Sequence, residues 1–248
     1  AQARSIPGQL NGILRLHFCV WTDAETAWMT RATLEPLLAD FEPKVGSKVW
    51  LGLDLSQNRD ITALAAVQRT GEKGGKPCFD AWIEAWTPGD TLAARTLRDK
   101  QPYDVWVAQG FLQAPQGENI NFRHVAQALA EYDRDYDVQM VAYDRYAFRR
   151  LEEDIAELGL DMEFVEHPQG GTKRGKPTDA MKLAAKSQDR EPQGLWMPGS
   201  VRQLEEMMLE GRIRLKRNPV LVSAIMSAVI ETDRWDNYWL SKQRALNK

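Results

Sequence analysis

Cysteine and histidine are scarce in this chain: two cysteines, Cys19 and Cys78, and three histidines among 248 residues. With no CxxC pair, that excludes a disulfide framework and a zinc cluster and fits a reducing cytoplasm. Long apolar runs are missing too. No stretch approaches the roughly 18 residues that span a bilayer, and the N-terminal AQARSIPGQL lacks the apolar centre of a signal peptide, so neither a membrane nor secretion is expected. Nor is there an excess of one charge: the net charge is -3 and the pI about 5.8, so any grip on nucleic acid must come from local patches. What the chain does have, 43% hydrophobic and 27% charged residues, is enough to build the core of one large globular domain.

Residues 1–46 read as a connector. They carry a short apolar run, GILRLHFCVW, and a helix expected from an N-cap at Asp23 to about Asp40, kinked or ended by Pro36. From residue 47 the pattern changes. KVWLGLDLS, ITALAAVQR and CFDAWIEAWT are three strand-like runs separated by QNRD and the glycine-rich TGEKGGKP, which predicts an antiparallel meander. GDTLAARTLRDK reads as a helix, YDVWVAQG as a small strand, and NFRHVAQALAEYDRDY as a helix leading into the apolar strand DVQMVAYD. AFRRLEEDIAELGL is then a helix ended by Gly159, and MEFVEH a strand. Strand, helix, strand in that order implies a parallel pair with a right-handed crossover. Helical patterns follow at 179–188, 200–210 and 218–230, and a hairpin with its turn near Asp233 to Asn237 closes the sequence. Three meander strands followed by parallel strands, flanked by helices, describe an α/β mixed sheet of the ribonuclease H-like kind.

The first strand carries a carboxylate, Asp54, among Val49, Trp50, Leu51, Leu53 and Leu55. Burying an ionised carboxylate without compensation costs several kcal/mol. A second acid, Asp144, ends the apolar run VQMVAYD. If the strands are neighbours, about 4.8 Å apart, the two carboxylates repel unless a cation lies between them. Oxygen donors without His or Cys favour Mg²⁺ or Mn²⁺ over zinc. The plain alternative is that each Asp is an ordinary strand-end or cap residue.

Four segments, WLGLDLSQNRDITAL, VAYDRYAFRRLEEDIAELG, MPGSVRQLEEMMLEGRIR and NPVLVSAIMSAVIETDRWDNYWLSK, follow one another with an order and spacing that resemble the nuclease half of the large terminase subunit of tailed bacteriophages. The resemblance covers residues 48 to 242, and GILRLHFCVWT looks like the stretch joining that family's ATPase motor to its nuclease. It implies a ribonuclease H-like nuclease domain over 47–248, with residues 1–46 as the tail of an ATPase domain that precedes them. It also implies an endonuclease that cuts concatemeric viral double-stranded DNA during genome packaging, with two Mg²⁺ or Mn²⁺ ions, in the host cell cytoplasm. The partners implied are double-stranded DNA, the small terminase subunit and the portal, with the isolated domain monomeric.

Carried over, Asp54 matches the acid of the first strand, Asp144 the acid of the YDR strand, and Asp233 a recurrent Asp of the closing hairpin. Asp236 and Glu231 are alternatives for that third place, as is an acid beyond residue 248, since some relatives supply one from a C-terminal helix. Asp233 is otherwise a simple turn residue. Leu215 stands where a His is expected in many relatives.

The basic clusters TKRGKP and RIRLKR are either solvated faces or a grip on the DNA backbone. Lys173, Arg174, Lys176 and Lys242 are the candidates for phosphate contact. Two motifs are decoys. GGTKRGKPT nearly spells a phosphate-binding P-loop, but Pro177 occupies the Ser/Thr position, removing a hydroxyl and an N–H. LGLDLS resembles the first phosphate loop of actin-like ATPases, yet YDRYAF has no glycine for the second. A non-enzymatic reading stays open: a docking module of the packaging motor that keeps the fold without a complete metal site.

Overall fold

The computed structural model describes residues 28–56 and 60–241. Where one helix was expected up to Asp40, the chain forms a four-residue helix, α1 (Arg31–Leu34), a 3-10 turn (Glu35–Leu37) and a two-residue strand, β1 (Leu38–Ala39). Pro36 has no N–H to donate and lies in the first turn of the 3-10 piece, so the α-helix stops short of it. The cap is Thr30, whose hydroxyl accepts the Thr33 N–H at 3.2 Å; the expected cap, Asp23, falls outside the described residues.

The meander is present as expected: β2 (Lys48–Asp54), β3 (Thr62–Lys73) and β4 (Lys76–Trp86) pair antiparallel in sequence. Gly74 and Gly75, both at positive φ (61° and 75°), make the two-residue turn between β3 and β4, a geometry that matches strand twist and that side chains resist. Helices α2 (Leu92–Asp99) and α3 (Tyr103–Ala108) follow. The second corrects the expected strand over YDVWVAQG. Tyr103 and Trp106, three apart and both buried, pack one helical face, while the Val105/Val107 alternation that suggested a strand leaves Val105 exposed.

Next come α4 (Arg123–Asp135), β5 (Asp137–Tyr143), α5 (Phe148–Glu157) and β6 (Phe164–Glu166), with β5 parallel to both β2 and β6. Then α6 (Asp179–Ser187), α7 (Met197–Leu209), β7 (Ile213–Lys216) and α8 (Pro219–Ser227) lead to a separate two-stranded hairpin, β8 (Ile230–Thr232) and β9 (Tyr238–Leu240). The seven-stranded sheet has the order β1-β7-β4-β3-β2-β5-β6. It is the expected mixed sheet, extended on the β4 side by β7 and β1, both parallel. Part of the expected connector thus completes the sheet.

Alternation assigns the two faces. Val49, Leu51, Leu53, Leu64, Trp82 and Val141 turn one way, onto Val125 and Leu129 of α4 and Leu151 of α5. Ile213 and Leu215 turn the other way, onto Leu34, Val201 and Met208 of α1 and α7. RIRLKR is a strand and its flanks. Its cations serve the protein: Arg214 pairs with Asp80 at 2.6 Å, Arg212 with Glu210, Lys216 with Glu42 at 3.2 Å and Arg217 with Asp40 at 3.6 Å. Leu215 is core.

Candidate active site

Asp54 closes β2 and Asp144 directly follows β5. The two strands are parallel neighbours, paired at Leu51 with Val141, Gly52 with Ala142 and Leu53 with Tyr143. The next step of that register sets Asp54 beside Asp144, at the C-terminal ends of both strands. Residues paired across neighbouring strands share a face. Leu53 lies in a row with Leu64, Glu84, Tyr143 and Glu166, which belongs to the α4/α5 face. The following row, Ala85, Ala63, Asp54 and then Asp144, belongs to the opposite face.

Two consequences follow from this. Glu84 and Glu166 are removed from the carboxylate pair by one residue of register. Asp54 is also less buried than its apolar neighbours imply: Val49, Leu51, Leu53 and Leu55 are buried, whereas Asp54 is half-buried on the other face. Its desolvation is partial, and small residues, Ala63 and Gly52, leave room beside it.

The same row reaches a third residue that the sequence reading missed. Tyr143 pairs with Glu166, and the His167 N–H donates to the Tyr143 carbonyl at 2.7 Å, carrying the ladder one step further. His167 thus follows Asp144 as Asp144 follows Asp54. Its Nε2 lies 2.8 Å from the Ser200 hydroxyl in the first turn of α7. Burial pushes the imidazole below its ordinary value, opposed by the local backbone and by the Asp144 carboxylate. The signal in the sequence was its position: the last letter of MEFVEH, a strand end like the two acids.

The chain leaves Asp144 under strain. Ala147, the N-cap of α5, has φ 62°, a left-handed conformation that costs an L-residue with a Cβ about 1–2 kcal/mol. Tyr146 projects into solvent, 72% exposed.

Asp233 lies in the β8–β9 turn, outside the seven-stranded sheet. Its carboxylate accepts the Trp235 N–H at 2.8 Å, the Asn237 N–H at 2.9 Å and the Asn237 side-chain amide at 3.0 Å. The Asn237 amide, then the backbone donors and Arg234, hold its carboxyl below the usual range. Asp236 has φ 60° in the same turn, and Glu231 accepts the Ser241 hydroxyl at 2.5 Å. Among the described residues no three His, Cys, Asp or Glu side chains come together as a group able to hold a metal ion.

Lys173, Arg174 and Lys176 are exposed on the segment that leaves His167. That segment is pinned. The Gly175 N–H donates to the Leu195 carbonyl at 2.8 Å, the Trp196 indole N–H to the Gly171 carbonyl at 2.8 Å, and the Arg174 guanidinium stacks 4.1 Å from the Trp196 ring. Trp239 lies against Gly171 so closely that a Cβ there would collide with the ring. Lys242 falls outside the described residues.

The family model for the terminase large subunit endonuclease domain matches residues 1–190, a span that includes Asp54, Asp144 and His167. The chain belongs to that family. The large terminase subunit of Enterobacteria phage HK97 is 31% identical to this terminase domain over 201 residues, 81% of this chain and 34% of that protein. The crystal structure of the HK97 large terminase superposes with a TM-score of 0.72 at 28% identity, covering 100% of this chain and 46% of that one. The terminase domain described here therefore spans about a third of the curated relative and under half of the crystallised chain. The large terminase nuclease of thermophilic phage G20c, solved with bound magnesium, aligns at TM-score 0.45 and 11% identity over 90% of this chain and 95% of that one. No helix among the described residues is long and apolar enough to cross a membrane.

Proposed function

We propose that this terminase nuclease domain hydrolyses phosphodiester bonds in double-stranded DNA, using two Mg²⁺ or Mn²⁺ ions held by Asp54 and Asp144. The observation that carries the reading is the register of β2 and β5, which sets the two acids side by side on one face at the same end of the sheet. Two half-buried carboxylates at that spacing, with oxygen donors alone, fit a hard divalent cation. Such ions, once bound, activate a water and stabilise charge on the attacking and leaving oxygens.

The chain's own part is positional. Asp54 is held at the end of β2 and Asp144 just beyond β5, and with a water as the attacking group no side chain need act as a nucleophile. Lys173, Arg174 and Lys176, on the pinned segment after His167, bind backbone phosphates, with Lys242 as a fourth cation. Asp233 is the proposed third anchor, and its role must be reconciled with three hydrogen bonds already made inside its turn. In the whole protein, the substrate is concatemeric viral DNA in the cytoplasm of the infected cell, and the partners are the small terminase subunit and the portal.

Supercoiled plasmid incubated with the chain and Mn²⁺ tests the reading. Nicking and linearisation that disappear with EDTA and in Asp54→Ala and Asp144→Asn support it; cutting in excess EDTA would refute it. Asp233→Asn decides the third anchor: unchanged Mn²⁺ affinity by calorimetry leaves Asp233 a turn residue. A second reading, a docking module of the packaging motor, draws on the lack of a three-ligand group among the described residues, and inert plasmid would favour it.

A further inference from the structure

Two stretches of chain lie against each other beyond the carboxyl end of β6. One runs from His167 to Lys176, the other from Gly194 into the first turn of α7. Three hydrogen bonds join them, each at 2.8 Å: His167 Nε2 with the Ser200 hydroxyl, the Gly175 N–H with the Leu195 carbonyl, and the Trp196 indole N–H with the Gly171 carbonyl. Glycine makes so close an approach possible. A Cβ on Gly194 would run into the Gly175 backbone, one on Gly175 into the Glu166 carbonyl, and one on Gly171 into the Trp239 ring. The segment that carries Lys173, Arg174 and Lys176 is therefore fixed on both sides of Arg174. The Arg174 guanidinium lies over the Trp196 ring, 4.1 Å from its centre, and no acid or hydrogen-bond acceptor partners it among the described residues. Other arginines over aromatic rings are committed: Arg214 above Phe41 pairs with Asp80, and Arg234 above Trp235 has the Asp233 carboxylate beside it. An exposed guanidinium that is held in place without an acid keeps its rigid fork of donors for a group outside the chain.

We propose that Arg174 is the oriented phosphate contact of this domain: its planar fork takes one backbone phosphate of duplex DNA in a two-pronged contact, and Trp196 is the positioning residue that holds the fork ready. Lys173 and Lys176, point charges on flexible stems, add attraction without fixing direction. The inference rests on the duplex-DNA reading above, and it names which cation orients the substrate and what orients that cation. The plain alternative, that Arg174 only covers the indole with its apolar stem, predicts a loss of stability with no loss of DNA affinity.

The test is binding of a short fluorescent duplex to the 248-residue chain in EDTA, followed by anisotropy over a series of salt concentrations and read beside thermal melting. Arg174→Ala is expected to weaken binding about 10-fold and to make the slope of log K against log salt shallower by about 0.9, the share of one phosphate contact. Arg174→Lys and Trp196→Leu leave the charge unchanged, so the slope should stay near wild type while affinity falls several-fold. The two sites should not add: Arg174→Ala combined with Trp196→Leu should bind no more weakly than Arg174→Ala alone, since the ring acts only through the guanidinium. Full affinity in Arg174→Lys means that charge alone is used and overturns the proposal, as does an additive loss in the double variant. If the wild-type chain binds duplex and Arg174→Ala binds it equally well, the role of Arg174 is overturned while the DNA reading stands. If the wild-type chain binds no duplex even at low salt, both fall. Should Trp196→Leu fail to fold, the comparison of Arg174→Ala with Arg174→Lys decides it.

Discussion

A single residue of register separates carboxylates with quite different work. Glu84 lies in the row of Leu53 and faces α4, where burial pushes its carboxyl above the ordinary value of 4.5; the Tyr132 hydroxyl opposes that shift, Glu131 adds to it and the Gln113 amide opposes it. Because the folded pKa lies above the unfolded one, the protonated form is favoured by folding. Its contribution is complete below the unfolded value and is lost as pH rises through the folded one. Glu84→Gln is therefore expected to raise the melting temperature at pH 7, with the gain shrinking to nothing toward pH 4, as followed by circular dichroism. Asp54 lies one row further and faces the other way, and under the proposed function its replacement is expected to act on cutting more than on stability. Asp54 and Asp144 were legible in the sequence as strand-end carboxylates. Their separation from Glu84 and Glu166 was not, because side-chain direction depends on where pairing begins.

Elements were legible where the pattern was long and the punctuation clear. The meander strands, the helices over 123–135 and 148–157, and the closing hairpin form as the periodicity predicts. Short elements were not. Tyr103–Ala108 holds too few turns for a helical period to outweigh a chance alternation of valines, and Ile213–Lys216 has only two apolar residues, so its charges hid a strand. α8 shows how local chemistry sets an end: the Asn218 side chain accepts the Val220 N–H at 2.8 Å, and Pro219 starts the helix where its missing N–H is harmless. Asn218→Ala should cost about 1 kcal/mol in urea unfolding. At the β3–β4 turn, Gly75→Ala forces a Cβ into φ 75° and should cost about 1 kcal/mol by the same measurement. Replacement by Asn, which tolerates that region, should cost less.

At the scale of the whole molecule, the acidic total conceals an arrangement of charge. The cations of RIRLKR are paired with acids of the protein, whereas Lys173, Arg174 and Lys176 stay exposed on a segment held by Trp196 and Trp239. Exposed ion pairs such as Arg217–Asp40 contribute about 0–1 kcal/mol, so β1 is held mainly by its pairing with β7. If the three exposed cations meet phosphates, the triple alanine variant should weaken binding of plain duplex DNA and flatten its salt dependence. The slope of log K against log salt should fall by about 2 to 3, since each contact contributes roughly 0.9. Arg214→Ala should leave that slope unchanged and lower stability, because its partner is Asp80.

Periodicity by itself determined that this chain forms an α/β domain and that Asp54 and Asp144 stand at the ends of apolar strands, and the order and spacing of four motifs determined which family it resembles. Those properties are local: they depend on residue types and on spacings within a few turns or one strand. Only the folded sheet decided that β7 and β1 extend it, that Asp54 and Asp144 share a row, and that His167 stands next in that row beside Ser200. Such neighbours are brought together by strand order and register across tens of residues or more, and no local pattern records which strand lies beside which.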